Sequence, residues 1–183
     1  LGLFLLLAIL LFNGLFSDPA HRDSPFIGRE VPTFNLPDLM DREIKYQAST
    51  FNNHYTLLNV WGTWCLTCKV ELPYLTRLSE SGVRIVGLYY EQDSDPMFKS
   101  QTLPQVQADV TQTLIQLGNP FEFNIYDEYR DLSFDLGVTG APESFLIDPN
   151  GVIVAHHVGD INDRVWQSVF APHFLTNTSN RGD

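Results

Sequence analysis

Apolar and polar residues are grouped in blocks along this chain, and the period within each block predicts an element. The first block, "LGLFLLLAILLFNGLF", is apolar on every face, with no charge from Leu1 to Ser17, which suits lipid better than the edge of a small domain. The chain starts at Leu rather than Met, so this block reads as the remnant of a membrane segment over residues 1–17. A 16-residue helix spans only about 24 Å of a hydrocarbon core near 30 Å, short for an anchor and also compatible with a signal-peptide core. The stretch from Asn13 to Pro19 lacks the small-residue A-x-A pattern of a cleavage site, which favours an uncleaved anchor. "DPAHRDSPFIGRE" over residues 18–30 mixes proline, glycine and charge as a linker does.

From residue 31 to 175 the blocks describe a globular domain, with a disordered tail over 176–183. Short strands are expected near Pro32 to Leu36 and Glu43 to Gln47, then a buried strand from Tyr55 to Val60. In "KVELPYLTRLSESG", Val70, Tyr74, Leu75 and Leu78 recur at helical spacing, with Gly82 as the stop. "RIVGLYY" is a second buried strand. "PQVQADVTQTLIQLGNP" starts from Pro104, sets Val106, Val110, Leu114 and Leu117 on one face and ends at Gly118 and Pro120. "ESFLIDPNGVIVAHHVGD" places turn residues Asp148 to Gly151 between two apolar runs, the pattern of a hairpin. Asn162 then caps a final helix in "NDRVWQSVF". This order predicts an α/β fold with a central mixed sheet flanked by helices.

A chain of 183 residues, 44% of them hydrophobic, suits one domain that buries about two thirds of its unfolded surface. The formal charge of −11 argues against nucleic acid, because an acidic surface repels phosphates and the 11 Lys and Arg are scattered. Glu128, Asp131 and Asp135 read as a solvated face.

Candidate chemistry centres on the two cysteines, Cys65 and Cys68, in "NVWGTWCLTCKVELPYL". As a structural clasp they close so short a loop that the bridge is worth roughly 2 kcal/mol, against about 3 for a 15-residue loop. As a structural zinc site they lack a second C-x-x-C, and the five histidines show no H-x3-5-H spacing. Covalent haem attachment needs a histidine where Lys69 stands. A redox-active dithiol remains, with no metal. The pair lies between a buried strand and a helix, which puts Cys65 at the helix N-terminus, where free N–H groups and the dipole favour a thiolate. Such placement lowers a cysteine pKa from about 8.5 to between about 3.5 and 7.5. Cys65 is then the attacking thiol and Cys68, one turn inside, the resolving one. Trp64 would shield one side.

W-C-x-x-C after a hydrophobic strand, Pro73 five residues past the second cysteine, and Gly140-Ala141-Pro142 before the hairpin resemble a thioredoxin-like fold over roughly residues 26–172. Within that superfamily, "LNVWGTWCLTCKVELPYL", "GVTGAPESFLID" and "HHVGDIN" closely resemble the membrane-tethered thiol:disulfide interchange proteins of cytochrome c maturation, the DsbE/CcmG type. The resemblance implies a bacterial protein held in the inner membrane by one N-terminal anchor, with its catalytic domain in the periplasm. It would pass electrons from a membrane thiol donor to the haem-binding cysteines of apocytochrome c. It would act as a monomer whose only cofactor is the Cys65–Cys68 dithiol. It also implies that Cys65 is the nucleophile, Cys68 the resolving thiol, and Glu71 and Glu143 the acidic residues near the site. Pro142 would be a cis-proline that, with Ala141 and Trp64, lines the substrate groove.

Two features depart from the family pattern. Leu66 stands where proline usually follows the first cysteine, and "EQDSDPMFKSQTL", Glu91 to Leu103, is long for the family and reads as a tolerated insertion rather than a partner-binding loop. Asn59, six residues before the nucleophile, stands where ordinary thioredoxins carry a buried aspartate, so a proton acceptor must come from elsewhere. Each of these residues also has a plainer reading. Trp61 and Trp166 fit core aromatics. Glu71 fits a surface glutamate on a first helical turn, and Pro142 an ordinary trans turn. Of His156 and His157, alternation would put one in solvent and pack the other. Two rival functions stand beside a reductant of apocytochrome c: a general tethered thiol reductase, for instance one serving copper-site assembly, and a redox-silent module that holds polypeptide.

Overall fold

The computed structural model describes Gly2 and residues 24–92 and 101–175. The membrane segment expected over residues 1–17 lies outside the described residues apart from Gly2. So do the first part of the linker, residues 93–100 of the long stretch after Tyr90, and the tail. Among the described residues, no helix is long and apolar enough to cross a membrane.

An antiparallel ribbon, β1 (Asn35–Pro37) and β2 (Lys45–Gln47), comes first. β3 (Thr56–Trp61) follows, buried along its whole length as a strand covered on both faces must be. Then come α1 (Leu66–Glu80), β4 (Ile85–Tyr89), α2 (Leu103–Leu117), β5 (Asn124–Tyr126), α3 (Asp131–Asp135), β6 (Glu143–Ile147) and β7 (Ile153–Val158). The five-stranded sheet runs β5-β4-β3-β6-β7, with β4 parallel to β3 and β5, and with β6 antiparallel to β3 and β7. This is the mixed sheet that the pattern predicts. On one face Leu57, Trp61 and Leu146 pack with Leu72 and Leu75 of α1 and Val106 and Val110 of α2. On the other, Leu58, Val60 and Phe145 pack with Leu132 of α3 and with Leu136.

β5 and α3 are absent from the expected order, and each has a local cause. β5 has three residues, too few for a period, and is recruited by tertiary contacts: Trp61 Nε1 donates to Asn124 Oδ1 at 2.8 Å across the face of Gly87. A Cβ on Gly87 would stand 2.0 Å from that oxygen, so the absence of a side chain on β4 is what lets β3 and β5 bond. α3 starts from Arg130 in the left-handed region at φ 63° and is held by the buried Asp127. That carboxylate accepts from the Leu132 and Ser133 amides at 3.3 and 2.7 Å and from the Ser133 hydroxyl at 2.7 Å. The last helix also differs, since it divides into α4 (Asp163–Val165), a π-turn over Trp166–Phe170 and α5 (Ala171–Leu175). Asn162 caps it as expected, accepting from the Val165 amide at 3.2 Å.

Candidate active site

β3 runs straight into the redox pair. Past Trp61 the chain turns through Gly62 and Thr63, and Cys65 becomes the N-cap of α1 in extended backbone, with φ −91° and ψ 110°. Its Sγ accepts the Cys68 amide at 3.1 Å, one of the free N–H groups that a helix start must satisfy. In the reduced protein the same N–H and the positive end of the helix dipole would face the Cys65 sulfur. The two cysteines form a disulfide with 5.3 Å between Cα atoms. Cys65 keeps 6% of its surface exposed and Cys68 none.

Trp64 folds back over Gly62, where a Cβ would stand 2.2 Å from the indole nitrogen. That nitrogen donates to the Tyr90 carbonyl at 2.9 Å, and the indole packs on the Tyr90 ring at 5.1 Å. Opposite it, the Ala141 carbonyl oxygen lies 3.3 Å from Cys65 Sγ, and the Ala141–Pro142 peptide bond is cis. The plain trans-turn reading of Pro142 is therefore replaced. Cys65, Cys68, Ala141 and Pro142 come together at one end of β3, with Trp64 beside them. Leu66 and Val70, one turn apart on α1, stand 77% and 69% exposed next to them. On the α2 side Thr63, Trp64, Lys69, Glu91 and Asp109 help to line a cleft of about 660 Å³. Burial raises the Glu91 pKa, and the carboxylate accepts the Tyr89 hydroxyl.

Glu71 is not the surface glutamate of the plainer reading. It is 3% exposed, on the α1 face turned to the sheet. Oε1 accepts the Asn59 amide at 2.9 Å and Oε2 accepts the Ile161 backbone N–H at 2.9 Å. Burial pushes its pKa up to about 7, the two hydrogen bonds pull against that rise, and the nearby Asp160 charge adds to it. Asn59, fully buried, also donates to Ser144 Oγ at 3.0 Å, while its own Oδ1 has no partner among the described residues.

Glu143 takes a different place. Alternation along β6 sends Ser144 to the Asn59 and Glu71 side, so the preceding Glu143 points to the other face of the sheet. It is fully buried, with Oε2 accepting from Thr139 and Oε1 2.6 Å from His156 Nε2. The structure thus separates the two carboxylates that the resemblance groups together. Neither adjacent histidine lies free in solvent, which corrects the one-in, one-out reading. His156 stacks on Phe145 at 4.3 Å, and the half-buried His157 meets Phe170 edge-on at 6.5 Å, its pKa lowered by burial.

Ser144, Thr139 and the Ile161 amide escaped the reading of motifs, and His156 entered it only as one of an alternating pair, not as the partner of Glu143. Period-two alternation through "ESFLI" was enough to put Glu143 and Ser144 on opposite faces, but no local signal marks a backbone N–H as a carboxylate partner. Among the described residues, no group of three or more His, Cys, Asp or Glu is placed to hold a metal.

Comparison with known proteins covers nearly the whole domain. Residues 27–169 match the Redoxin family. The thiol:disulfide interchange protein DsbE of Vibrio cholerae is 42% identical over 177 residues, covering 91% of this chain and 89% of that protein. The protein of the same name from Pseudomonas aeruginosa is 40% identical and covers 94% and 88%. Among solved structures, a secreted thiol-disulfide isomerase from Corynebacterium glutamicum superposes with a TM-score of 0.62 at 21% identity, covering 86% and 95%. A thio-disulfide isomerase from Thermus thermophilus gives 0.59 at 21% identity, covering 82% and 95%. At that identity the solved structures show the thioredoxin-like fold alone. With the C-x-x-C pair at disulfide distance at the head of α1, the relatives make this chain a thiol:disulfide oxidoreductase, which sets the redox-silent module aside. The chain belongs to the Redoxin family and, within it, to the DsbE type of thiol:disulfide interchange protein.

Proposed function

We propose that this oxidoreductase is a periplasmic reductant, tethered to the bacterial inner membrane by its N-terminal segment, that reduces the haem-binding cysteines of apocytochrome c. The observation that carries this reading is the extent of the match: the proteins named DsbE are 40–42% identical across about nine tenths of the chain, not only around the C-x-x-C. The apolar residues 1–17 and the linker support the tether, and a membrane thiol protein is the electron donor that such a tether would serve.

The chemistry runs in two displacements. The Cys65 thiolate attacks one sulfur of the substrate disulfide, and the other substrate sulfur leaves as a thiolate. Cys68 gives up its proton, attacks Cys65 Sγ and releases the second substrate thiolate. Two electrons have then passed to the substrate, and the chain is left with the disulfide seen here. Because Cys68 has no solvent access, its proton needs an acceptor inside the protein. Glu71, buried and titrating near neutrality, is matched to that task. Trp64, Ala141 and Pro142 line the approach to Cys65.

The test is capture with Cys68→Ala, which leaves the mixed disulfide stranded on Cys65 so that the partner can be identified. Recovery of apocytochrome c supports the proposal. Recovery of copper chaperones in place of cytochromes would transfer the site to the general tethered reductase.

A further inference from the structure

Glu143 has no part in the proton transfer assigned to Glu71, yet it is the more completely sequestered of the two carboxylates, at 0% exposed against 3%. Among the described residues, every hydrogen bond of its carboxylate runs to one of two places. Oε2 accepts the Thr139 amide at 2.9 Å and the Thr139 hydroxyl at 3.3 Å, four residues back along the chain. Oε1 lies 2.6 Å from His156 Nε2 on β7. With Glu143 as the carboxylate, which only accepts, the bond has that ring nitrogen as its donor. His156 is itself fixed, flat against Phe145 with 4° between the ring planes, and its side chain is 11% exposed.

The bond from Glu143 to Thr139 closes the backbone of residues 139–143 into a loop, and this loop carries the Ala141 carbonyl that stands 3.3 Å from Cys65 Sγ. The cross-strand neighbours of Glu143, Val60 and Val158, are apolar and offer no replacement donor. Without His156, one oxygen of a buried charge would lose its partner. Leaving such a group unpaired is costly enough that the carboxylate would turn toward water, which loosens its hold on Thr139.

We infer that His156 is a positioning residue of the redox site: by holding Glu143 Oε1 against β7, it keeps the carboxylate bonded to Thr139 and so sets where Ala141 and Pro142 stand over Cys65. The inference rests on the oxidoreductase activity and not on which protein is the substrate, so a generic disulfide can test it.

His156→Phe keeps a flat ring for Phe145 and removes the nitrogen, whereas His156→Gln keeps a donor and loses the ring. Three readouts are compared in reduced protein: the rate of attack on an aromatic disulfide, the thiolate titration of Cys65, and the exchange protection of the Thr139 amide by NMR. His156→Phe should slow attack about tenfold, the order expected for a reacting group displaced by less than an ångström. It should also move the titration and expose the Thr139 amide, while His156→Gln stays close to wild type in all three. Thr139→Val removes only the hydroxyl donor and should give a smaller loss in the same direction, so the test stands even if His156→Phe does not fold. Wild-type attack rates in both His156→Phe and Thr139→Val overturn the inference. So does an equal loss of rate and melting temperature in His156→Phe and His156→Gln, which would mark His156 as packing alone.

Discussion

Asn59 donates its side-chain amide to Glu71 Oε1 over 2.9 Å, both residues being buried beneath the redox pair. An aspartate at Asn59 would set two carboxylates within hydrogen-bonding distance, where both cannot ionise near neutral pH. The amide leaves Glu71 without a second carboxylate bonded to it, and its partner can only stabilise the charged form weakly against burial. The pKa near 7 follows from that balance.

Stability should record the same balance. The Glu71 pKa in the folded chain, about 7, exceeds the ordinary carboxylate value of 4.5, so the fold prefers the protonated form. That preference is fully present below about pH 4.5 and is lost as pH rises through about 7. In denaturant unfolding, wild type should lose up to about 3 kcal/mol across this window relative to Glu71→Gln, whose side chain does not titrate. Parallel stability curves for the two proteins would show that the carboxylate carries no such penalty.

In the reduced chain, Cys65 should be alkylated first near neutral pH. It keeps the only solvent exposure of the pair, and its sulfur faces the Cys68 amide at the helix start, whereas Cys68 is closed off one turn inside. Peptide mapping after brief treatment with iodoacetamide should find the label on Cys65. Label on Cys68 at short times would reverse the two roles.

Leu66 offers a test of local geometry. It is the first residue of α1, a position where proline costs no internal hydrogen bond, and Cys65 before it already holds the extended backbone that proline demands of its predecessor. Leu66→Pro should therefore raise the unfolding free energy of the oxidised protein by up to about 1 kcal/mol, through the restricted unfolded chain. A lower denaturation midpoint would mean that the 77% exposed leucine contributes contacts this geometry does not show.

Much of this arrangement was legible in the chain itself. The mostly apolar run of β3, the helical spacing that carries Leu75 and Leu78, and the turn at Asp148 to Gly151 each carry their own period or turn chemistry, and these elements land where expected, although Val70 of the same helical series stands exposed. The dithiol was legible because C-x-x-C between strand and helix has few other uses. β5 was not, because three residues are held by Asn124 over Gly87 and not by their own pattern. The burial of Glu71 was hidden for a related reason: its partners, Asn59 and the Ile161 amide, lie 12 residues behind it and 90 ahead. Helical spacing puts Glu71 on the Cys68 side of α1, but only the packed sheet decides whether that side meets water.

The separation of Glu71 and Glu143 can be read in the step that resolves a mixed disulfide. Cys68 must lose a proton inside the protein, and Glu71 lies three residues further along the same buried side of α1, whereas Glu143 sits across the sheet with Thr139 and His156. Only ionised Glu71 can accept, so decay of a mixed disulfide on Cys65 should accelerate with pH through an inflection near 7. Replacing Glu71 with Gln has two opposed effects. It removes a negative charge that disfavours a thiolate on the neighbouring turn. It also removes a general base, whose contribution is typically about 10² to 10⁴. The second effect is larger, so Glu71→Gln should resolve at least about tenfold more slowly and lose the inflection. Glu143→Gln disturbs the loop over Cys65 but leaves the acceptor in place, so it should keep the inflection whatever its absolute rate. Stopped-flow decay of a mixed disulfide with a coloured thiol, followed from about pH 5 to 9, separates the two. An inflection that persists in Glu71→Gln and vanishes in Glu143→Gln would exchange their roles, and one that persists in both would leave water as the acceptor.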